Sequence, residues 1–544
     1  MYSKKLPPAN GQYPTQPNIE PSELAALYTS CQPGPNFLHK HVTIDSSLNL
    51  QAWDRYRPLI DELDDTLVDN LKFGFCMGVD ANKEISIPYT NHKSAIEQYE
   101  VIDEFVIKHY EAKAIAGPYK VNPLPTVVHP SPLQVATSAS GKRRAVIDMS
   151  YPAGRSINDA IPEQWSQIPG FSGQFHLPTH EQICERILDL EDPLMGLTDL
   201  KAYYMQLPSD PNDYPYMAFA WRGCIWIHLR LPFGCRSACL HAQRVTEAVC
   251  HVYRQVSSNH VAGYVDDYCD VNERAVARSA HLTLHWLMDD FGLDRTPDKC
   301  LIPDELRVFL GLLYDLRRRL LKLPEEKLRR AVDLLEECLT RDTITRAQLE
   351  SLVGFLNHLA VVVVAGKPFN ALMYDSLVKD EFPMVVDDQI RQDLVVWSAF
   401  LQNSFTNACS MKRYISAAPD VVIALAVKQN NCVILCNGRR YGYRLETNWI
   451  IPKSLMPAVA VWLVTCNHME AIAGQVICVS VPTKVSQNVI NRVNTSCRRI
   501  RPMLRDMWIR QAQNDCYIKA RYGIDNVSWL YSEYVVFNSV KFMF

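Results

Sequence analysis

The sequence has no excess of charge of either sign, no long apolar run and no Cys-x-x-Cys pair. Each absence removes a class of function. Lys and Arg total 56 against 59 Asp and Glu, a formal net charge of −3. This excludes a globally basic nucleic-acid binder but leaves room for a local basic groove. The most apolar short stretch, Leu359–Gly366, is too short to cross a bilayer. Met1 to Pro21 is polar and proline-rich, without the apolar core of a signal peptide. The 17 cysteines are odd in number and scattered. Cys235/Cys239 and Cys432/Cys436 have no matching His or Cys pair beside them, so no zinc site is expected. Reduced, mostly buried thiols in a soluble intracellular protein, cytoplasmic or nuclear and without membrane attachment, are the expectation. No internal repeat is visible. With 48% hydrophobic and 21% charged residues, the chain is not mainly disordered, collagen-like or a coiled-coil rod.

What is present is enough chain for three or four modules, 544 residues. Residues 1–35 carry Pro7, Pro8, Pro14, Pro17, Pro21, Pro33 and Pro35 and read as an extended leader. Residues 36–115 hold helical patterns at Trp53–Leu71 and Ala95–Ile107, expected as surface helices of an N-terminal extension. From 116 the texture turns β-rich: Arg144–Ile147, Leu194–Leu197, Met217–Trp221, Cys224–Leu229 and Val261–Val265 alternate with helices at His241–Tyr253 and Ala275–Phe291. Residues 319–375 contain two amphipathic helices. One begins at Pro324 with the stripe Leu328, Ala331, Val332, Leu335 and Leu339. The other opens on a capping box, Thr345 to Gln348. Residues 376–544, with strand-like runs at Val421–Val427, Cys432–Leu435 and Gln475–Val481, read as a separate α/β domain.

The strongest chemical signal is Tyr264-Val265-Asp266-Asp267. An apolar run enters it and Tyr268, Cys269 and Val271 leave it, which makes a β-hairpin with two acids at its tip. Asp-Asp is also a good turn former in its own right. Desolvating two adjacent carboxylates costs several kcal/mol, and a divalent cation between them is the natural compensation. Asp199 supplies a third carboxylate at the end of the apolar strand Met195–Thr198. Three such acids suit two Mg²⁺ or Mn²⁺ ions about 4 Å apart, an arrangement for in-line nucleotidyl transfer.

These acids sit in ordered company, and the blocks together resemble a reverse transcriptase over about 90–375. Asp199–Tyr204 resembles the first metal-binding block, and Leu231-Pro232-Phe233-Gly234-Cys235-Arg236-Ser237-Ala238 the Leu-Pro-Phe-Gly loop. Tyr264–Asp267 resembles the Tyr-x-Asp-Asp hairpin. Gly292–Cys300 resembles the block after it, and Phe309-Leu310-Gly311 the primer grip. Upstream, Arg143–Asp148 and Ser156-Ile157-Asn158 resemble the fingers strand. Asn91–Ala95, Ser131-Pro132-Leu133 and Asp148–Pro152 look most like retrotransposons of the DIRS type (tyrosine-recombinase elements), with gypsy-type elements next.

The resemblance implies an α+β multidomain protein, a right-hand fingers–palm–thumb polymerase (116–318 fingers and palm, 319–375 thumb) followed by an RNase H-like α/β domain. It implies that Asp199, Asp266, Asp267 and the Leu200 carbonyl hold two ions. Lys299 matches a proposed general acid for pyrophosphate. Tyr204 matches the aromatic that excludes a ribose 2′-hydroxyl, with Tyr203 adjoining it. Arg144 matches the triphosphate arginine, and Phe233, Gly234 and Arg236 line the nucleotide loop. Gly311, Arg317, Lys327 and Arg330 would contact the duplex, an RNA template paired with a DNA primer, and dNTPs would be the substrate. One departure is the lysine that relatives place five or six residues before the fingers arginine. Ala139 and Ser138 stand there, and Lys142 or Arg143 would substitute for its charge.

Residues 421–535 resemble an RNase H domain without its acids. Ala426 stands for the first Asp, Leu455 or Met456 for the Glu, Pro482-Thr483 for Asp-Asn, and the last Asp falls near Trp529–Leu530. A nuclease-inactive domain is expected, with Arg492, Arg498, Arg499, Arg501 and Arg505 gripping a hybrid. The alternative to a polymerase is an inactive relic that serves as a nucleic-acid-binding scaffold.

Overall fold

The computed structural model describes residues 46–544 apart from 88–89, 138–140, 172, 174, 403–406, 415–420, 429–430, 437–438, 447–450, 453, 482, 493–496, 523–536 and 542–544. The leader, the Ser138 and Ala139 positions, Pro482 and Trp529–Leu530 therefore lie outside the described residues. The chain divides into two compact units, Met1–Pro178 with Gly196–Pro303, and Thr179–Met195 with Asp304–Phe544.

In the first unit, Trp53–Leu71 lies at the surface as expected, with Asp54, Asp61, Glu62, Asp65 and Asp69 exposed, but it is broken into separate turns and its apolar face is fully buried. Helix α1 (Leu50–Arg55) is capped by the Asn49 side chain. Pro58 opens a separate turn, Arg57–Ile60, because proline cannot continue the preceding hydrogen-bond ladder. Asp64 accepts from Thr66 N ahead of α2 (Leu67–Phe73). Trp53, Leu67, Val68 and Leu71 are fully buried and share one core with Tyr203, Phe219, Val249 and Phe291. Trp53 stacks on Phe291 at 4.0 Å and donates Nε1 to its carbonyl. An amphipathic pattern marks which face is apolar; it does not say that this face carries half of a neighbouring core.

Helices α3 (Lys93–Glu97) and α4 (Tyr99–Glu111) lead to β1 (Ile115–Tyr119) and the hairpin of β2 (Leu133–Thr137) and β3 (Arg143–Ile147). Strand β4 (Pro193–Asp199) precedes β5 (Ala218–Trp221), β6 (Cys224–His228) and helix α5 (Ala238–Ser257). Strands β7 (Val261–Tyr264) and β8 (Asp267–Glu273), helix α6 (Arg274–Asp290) and β9 (Leu301–Asp304) complete the set. One sheet runs β7-β8-β4-β9 and another β1-β6-β5. Helix α5 packs on β7, and α6 packs on β8.

Although it is the central helix, α5 carries four buried polar side chains, each with a task. His241 Nε2 lies 2.8 Å from the Cys76 carbonyl. Arg244 pairs with Asp64 at 2.6 Å and lies over the Phe75 and Phe171 rings. These two side chains fasten the segment before residue 80. The other two, Gln243 and Thr246, face the β7–β8 turn.

In the second unit, β10 (Leu306–Phe309), β11 (Leu312–Asp315) and β12 (Leu320–Lys322) form an antiparallel sheet with a later strand, Ala408–Ser410. Helix α7 (Glu325–Thr340) buries Ala331, Leu335 and Cys338. Helix α8 (Arg346–Leu359) opens on the Thr345–Gln348 capping box and buries Leu349, Leu352, Val353, Leu356 and Leu359, the face its spacing marks. Helices α9 (Ala371–Lys379) and α10 (Asp388–Gln402) follow.

A six-stranded sheet closes the chain. Strands Val421–Lys428, Asn431–Cys436 and Arg439–Glu446 form an antiparallel meander. Val476–Val481 lies parallel to the first of them and Tyr517–Tyr522 parallel to that, while Phe537–Lys541 adds a parallel edge beside the third. Helices Met456–Asn467 and Arg501–Gln513 pack together beside it. No helix among the described residues is long and apolar enough to cross a membrane.

Candidate active site

The site begins with a two-residue hairpin. Tyr264 and Asp267 are partners across the β7–β8 ladder, so Val265 and Asp266 form the turn. Such turns favour positive φ at their centre, and Val265 has φ 55°. A β-branched residue there is strained, at a cost of about 1–3 kcal/mol. The strain is held from several sides. Gln243 Oε1 accepts from Val265 N at 2.7 Å, and its Nε2 donates to the Gly263 carbonyl at 3.0 Å. Thr246 Oγ1 donates to the Val265 carbonyl. Leu200 N donates to the Asp266 carbonyl at 2.9 Å, which ties the turn to the end of β4, where Asp199 sits.

This register places three carboxyls together. Asp199 and Asp266 both lie close enough to Asp267 for their charges to act on it. Burial, then the charges of Asp266 and Asp199, push the Asp267 carboxyl up to about 6. Burial and the Asp199 charge also raise Asp266. Lys299 Nζ donates to Asp199 Oδ2 at 2.6 Å, and this partner holds its ammonium above the usual lysine range. Among the described residues, no three His, Cys, Asp or Glu side chains are placed to hold a metal ion as a group; one Asp199 oxygen is taken by Lys299. In chemistry the donors nonetheless fit a hard divalent cation. They are carboxylate oxygens, and the burial and mutual charge that raise Asp266 and Asp267 are what a bound cation would relieve.

The residues expected to line a nucleotide loop lie in the same unit. Tyr204, on a short turn after β4, is half-buried, and its ring meets Phe233 at 4.7 Å. Tyr203 is instead fully buried and donates to the Ala242 carbonyl, a packing role. Gly234 has φ 101°, and a Cβ there would collide with the Ile147 carbonyl, so only glycine permits this approach of loop and β3. The Arg236 side chain turns to the Ile161 carbonyl at 3.1 Å. Lys142 and Arg144 are exposed at the outer end of the β2–β3 hairpin, with Arg144 opposite Ala136.

The residues of the second unit expected to contact a duplex divide. Gly311 closes the β10–β11 turn at φ 75°, with Lys327 Nζ packed directly on it. That ammonium lies 2.7 Å from His358 Nε2 on α8. Arg317 is exposed, and Arg330 lies over the Phe355 ring at 4.8 Å. Two of the arginines expected to grip a hybrid have internal partners: Arg501 pairs with Asp375 at 2.8 Å and Arg505 with Asp393 at 2.7 Å. They dock helix Arg501–Gln513 onto the helices before it.

Sequence reasoning misses Gln243 and Thr246, and it reads Asn158 only as part of the Ser156-Ile157-Asn158 block, without its hydrogen bonds to the Gly234 loop. The available signal was polar residues on faces otherwise buried. Gln243 and Thr246 lie three apart on a helix whose interior positions are Ala, Val and Leu.

No family model matches the chain, and no curated protein matches it. Among solved structures, the chain is similar to the following. A foamy viral protease-reverse transcriptase dRH in complex with double-stranded DNA shares 15% identity, with 91% of this chain and 84% of that chain covered and a TM-score of 0.48. The foamy viral protease-reverse transcriptase in complex with RNA/DNA hybrid shares 14%, covering 90% of this chain and 64% of that one, at 0.49. The same protein with dsDNA shares 15%, covering 89% and 98%, at 0.46.

Proposed function

We propose that the chain is an RNA-directed DNA polymerase that extends a primer 3′-end with deoxynucleoside triphosphates, of the DIRS-like retrotransposon type. The observation that carries this reading is the convergence of Asp199, Asp266 and Asp267 at one end of one sheet, with Lys299 beside them and the turn between them held in strain. Crowded, partly buried acids are costly to keep without a cationic ligand.

In this reading Asp199, Asp266 and Asp267, with the Leu200 carbonyl, hold two Mg²⁺ or Mn²⁺ ions. When bound, such ions activate the primer hydroxyl and neutralise the charge that develops on the triphosphate. Lys299, kept protonated by Asp199, donates a proton to the departing pyrophosphate. Tyr204, braced by Phe233, walls the sugar position and excludes a 2′-hydroxyl. Arg144 and Lys142 meet the triphosphate from the hairpin, since a guanidinium suits bidentate phosphate contact. Arg236 and Gly234 shape the loop beneath the nucleotide. Gly311, Arg317, Lys327 and Arg330 meet the backbone of the RNA/DNA hybrid.

The β2–β3 hairpin belongs to the fingers, the β7-β8-β4-β9 sheet to the palm, and α7 and α8 to the thumb. We read the C-terminal sheet as RNase H-like: a meander extended by two parallel strands on one side and one on the other. Ala426 lies on its first strand and Met456 opens the following helix, both positions where a nuclease needs acids. The domain therefore does not cut RNA.

Primer extension on poly(rA)/oligo(dT) with Mg²⁺ or Mn²⁺ tests the reading. Activity in the native chain that Asp266→Asn with Asp267→Asn abolishes is the expected result. A folded chain that binds the hybrid yet extends nothing with either ion favours the scaffold instead, a role consistent with the Lys299 contact that occupies Asp199.

A further inference from the structure

A continuous hydrogen-bonded path crosses the first unit between the β2–β3 hairpin and the Leu-Pro-Phe-Gly loop. It starts at the head of α3, where Asn91 Oδ1 accepts from Leu133 N at 2.8 Å and His92 Nε2 lies 2.9 Å from Asp148 Oδ2, just past β3. Asp148 Oδ1 accepts from Ser150 N at 3.1 Å. Ser150 Oγ accepts from Asn158 Nδ2 at 2.8 Å. The same Asn158 amide donates to the Gly234 carbonyl at 2.7 Å, and its Oδ1 accepts from Arg236 N at 2.8 Å.

Asn158 is thus the junction. It is 6% exposed, and both its donor and its acceptor functions are satisfied. Its amide has only one workable orientation, because the Arg236 N–H can only donate and the Gly234 carbonyl can only accept. It grips the loop on both sides of Cys235, at the point where Gly234 approaches the end of β3.

We propose that Asn158 is a positioning residue that sets the Leu231–Arg236 loop against the hairpin carrying Arg144, so that affinity for the incoming nucleotide depends on it. This rests on the polymerase reading above. Asn158 touches no reacting atom in that reading. It fixes the distance between two surfaces that close on the same triphosphate and base, and small misplacements of such surfaces weaken nucleotide binding.

The test is steady-state incorporation of a single dNTP by the full chain, with KM and kcat separated, for Asn158→Ala, Asn158→Asp and Ser150→Ala. Loss of two buried hydrogen bonds to the loop should raise the dNTP KM about tenfold in Asn158→Ala, with kcat and hybrid affinity within about threefold of the native chain. Asn158→Asp is nearly isosteric and leaves no cavity, but it faces the Gly234 carbonyl without a proton to donate. It should raise KM as far as the alanine does. Ser150→Ala keeps both loop contacts and should raise KM only about twofold.

A native-like KM in Asn158→Asp, or a fall in kcat and hybrid binding that tracks a lowered melting temperature, would overturn the proposal. Hydrogen exchange of the Leu231–Ser237 amides, read without substrate, separates this failure from failure of the polymerase reading. Faster exchange in Asn158→Ala within a chain that extends nothing would refute the polymerase alone. Unchanged exchange would refute the positioning role.

Discussion

Replacing Gln243 by alanine tests whether the strained hairpin is held for catalysis. Gln243 makes two hydrogen bonds to the hairpin, at 2.7 Å to the turn residue Val265 and at 3.0 Å to Gly263 on β7, from a side chain that is almost wholly buried. Each is worth about 1 kcal/mol net, and stranding the buried Val265 N–H adds about 1–3 kcal/mol. The loss, about 3 kcal/mol or more, matches or exceeds the strain of about 1–3 kcal/mol stored at φ 55°. With its restraint gone, Val265 has a lower-energy region to enter, and Asp266 and Asp267 lose their fixed spacing to Asp199. Single-turnover incorporation should fall about 10- to 100-fold, each 1.36 kcal/mol being tenfold. Gln243→Glu keeps the acceptor for Val265 N and should lose less. Val265→Gly added to Gln243→Ala should recover part of the rate, because glycine takes this φ without cost. An activity within about threefold of native in Gln243→Ala would refute the reasoning. So would Val265→Gly acting by the same factor in both backgrounds, because a strain-and-restraint pair must be non-additive.

Four further outcomes follow from the charged contacts of the two units. Since Asp267 titrates near 6 without metal, Mn²⁺ affinity should fall as pH drops from 7.5 to 5.5, with a proton released on binding; calorimetry in buffers of different ionisation heat measures it, and a flat profile contradicts the crowded site. In the metal-free chain the sign reverses: a carboxyl raised from 3.8 to about 6 favours the folded state at low pH, so stability should decline as pH rises across that window, and Asp267→Asn should flatten the decline. For Asp64, burial pushes the carboxyl up, and the Arg244 guanidinium more than offsets it; Asp64→Ala strands that buried cation and should cost about 3 kcal/mol by denaturant unfolding, most of it recovered by Asp64→Leu with Arg244→Met. Burial raises Asp393 to about 6 against the pull of Arg505, so Arg505→Gln should move its titration, followed by carboxyl NMR, further upward; an unmoved titration would show the pair does not form in solution.

Part of this was legible in the residues. The Thr345–Gln348 cap, the α7 and α8 stripes and the Tyr264–Asp267 hairpin follow from local chemistry, because a cap, a 3.6-residue period and a two-residue turn are satisfied by neighbours in the chain. The extent of burial at Trp53–Leu71 was not legible, since a periodic apolar face carries no record of what covers it. The arginines of helix Arg501–Gln513 were misread for a related reason. A cation's partner depends on which acid the fold brings opposite, and here Asp375 and Asp393 come from helices more than a hundred residues earlier.

By itself the sequence determined which acids are the candidates for the chemistry and which residues make up the loops beside them, because ordered blocks of Asp, Gly, Pro and aromatic residues state the donor types outright. Only the tertiary structure decided how those groups are held. Gln243 and Thr246 reach the Val265 turn from a different element, and Asn158 reaches the Gly234 loop across 76 positions of chain. Hydrogen bonds of that kind have no sequence period and no fixed spacing. They exist only once packing has excluded water and left the buried polar groups to satisfy one another.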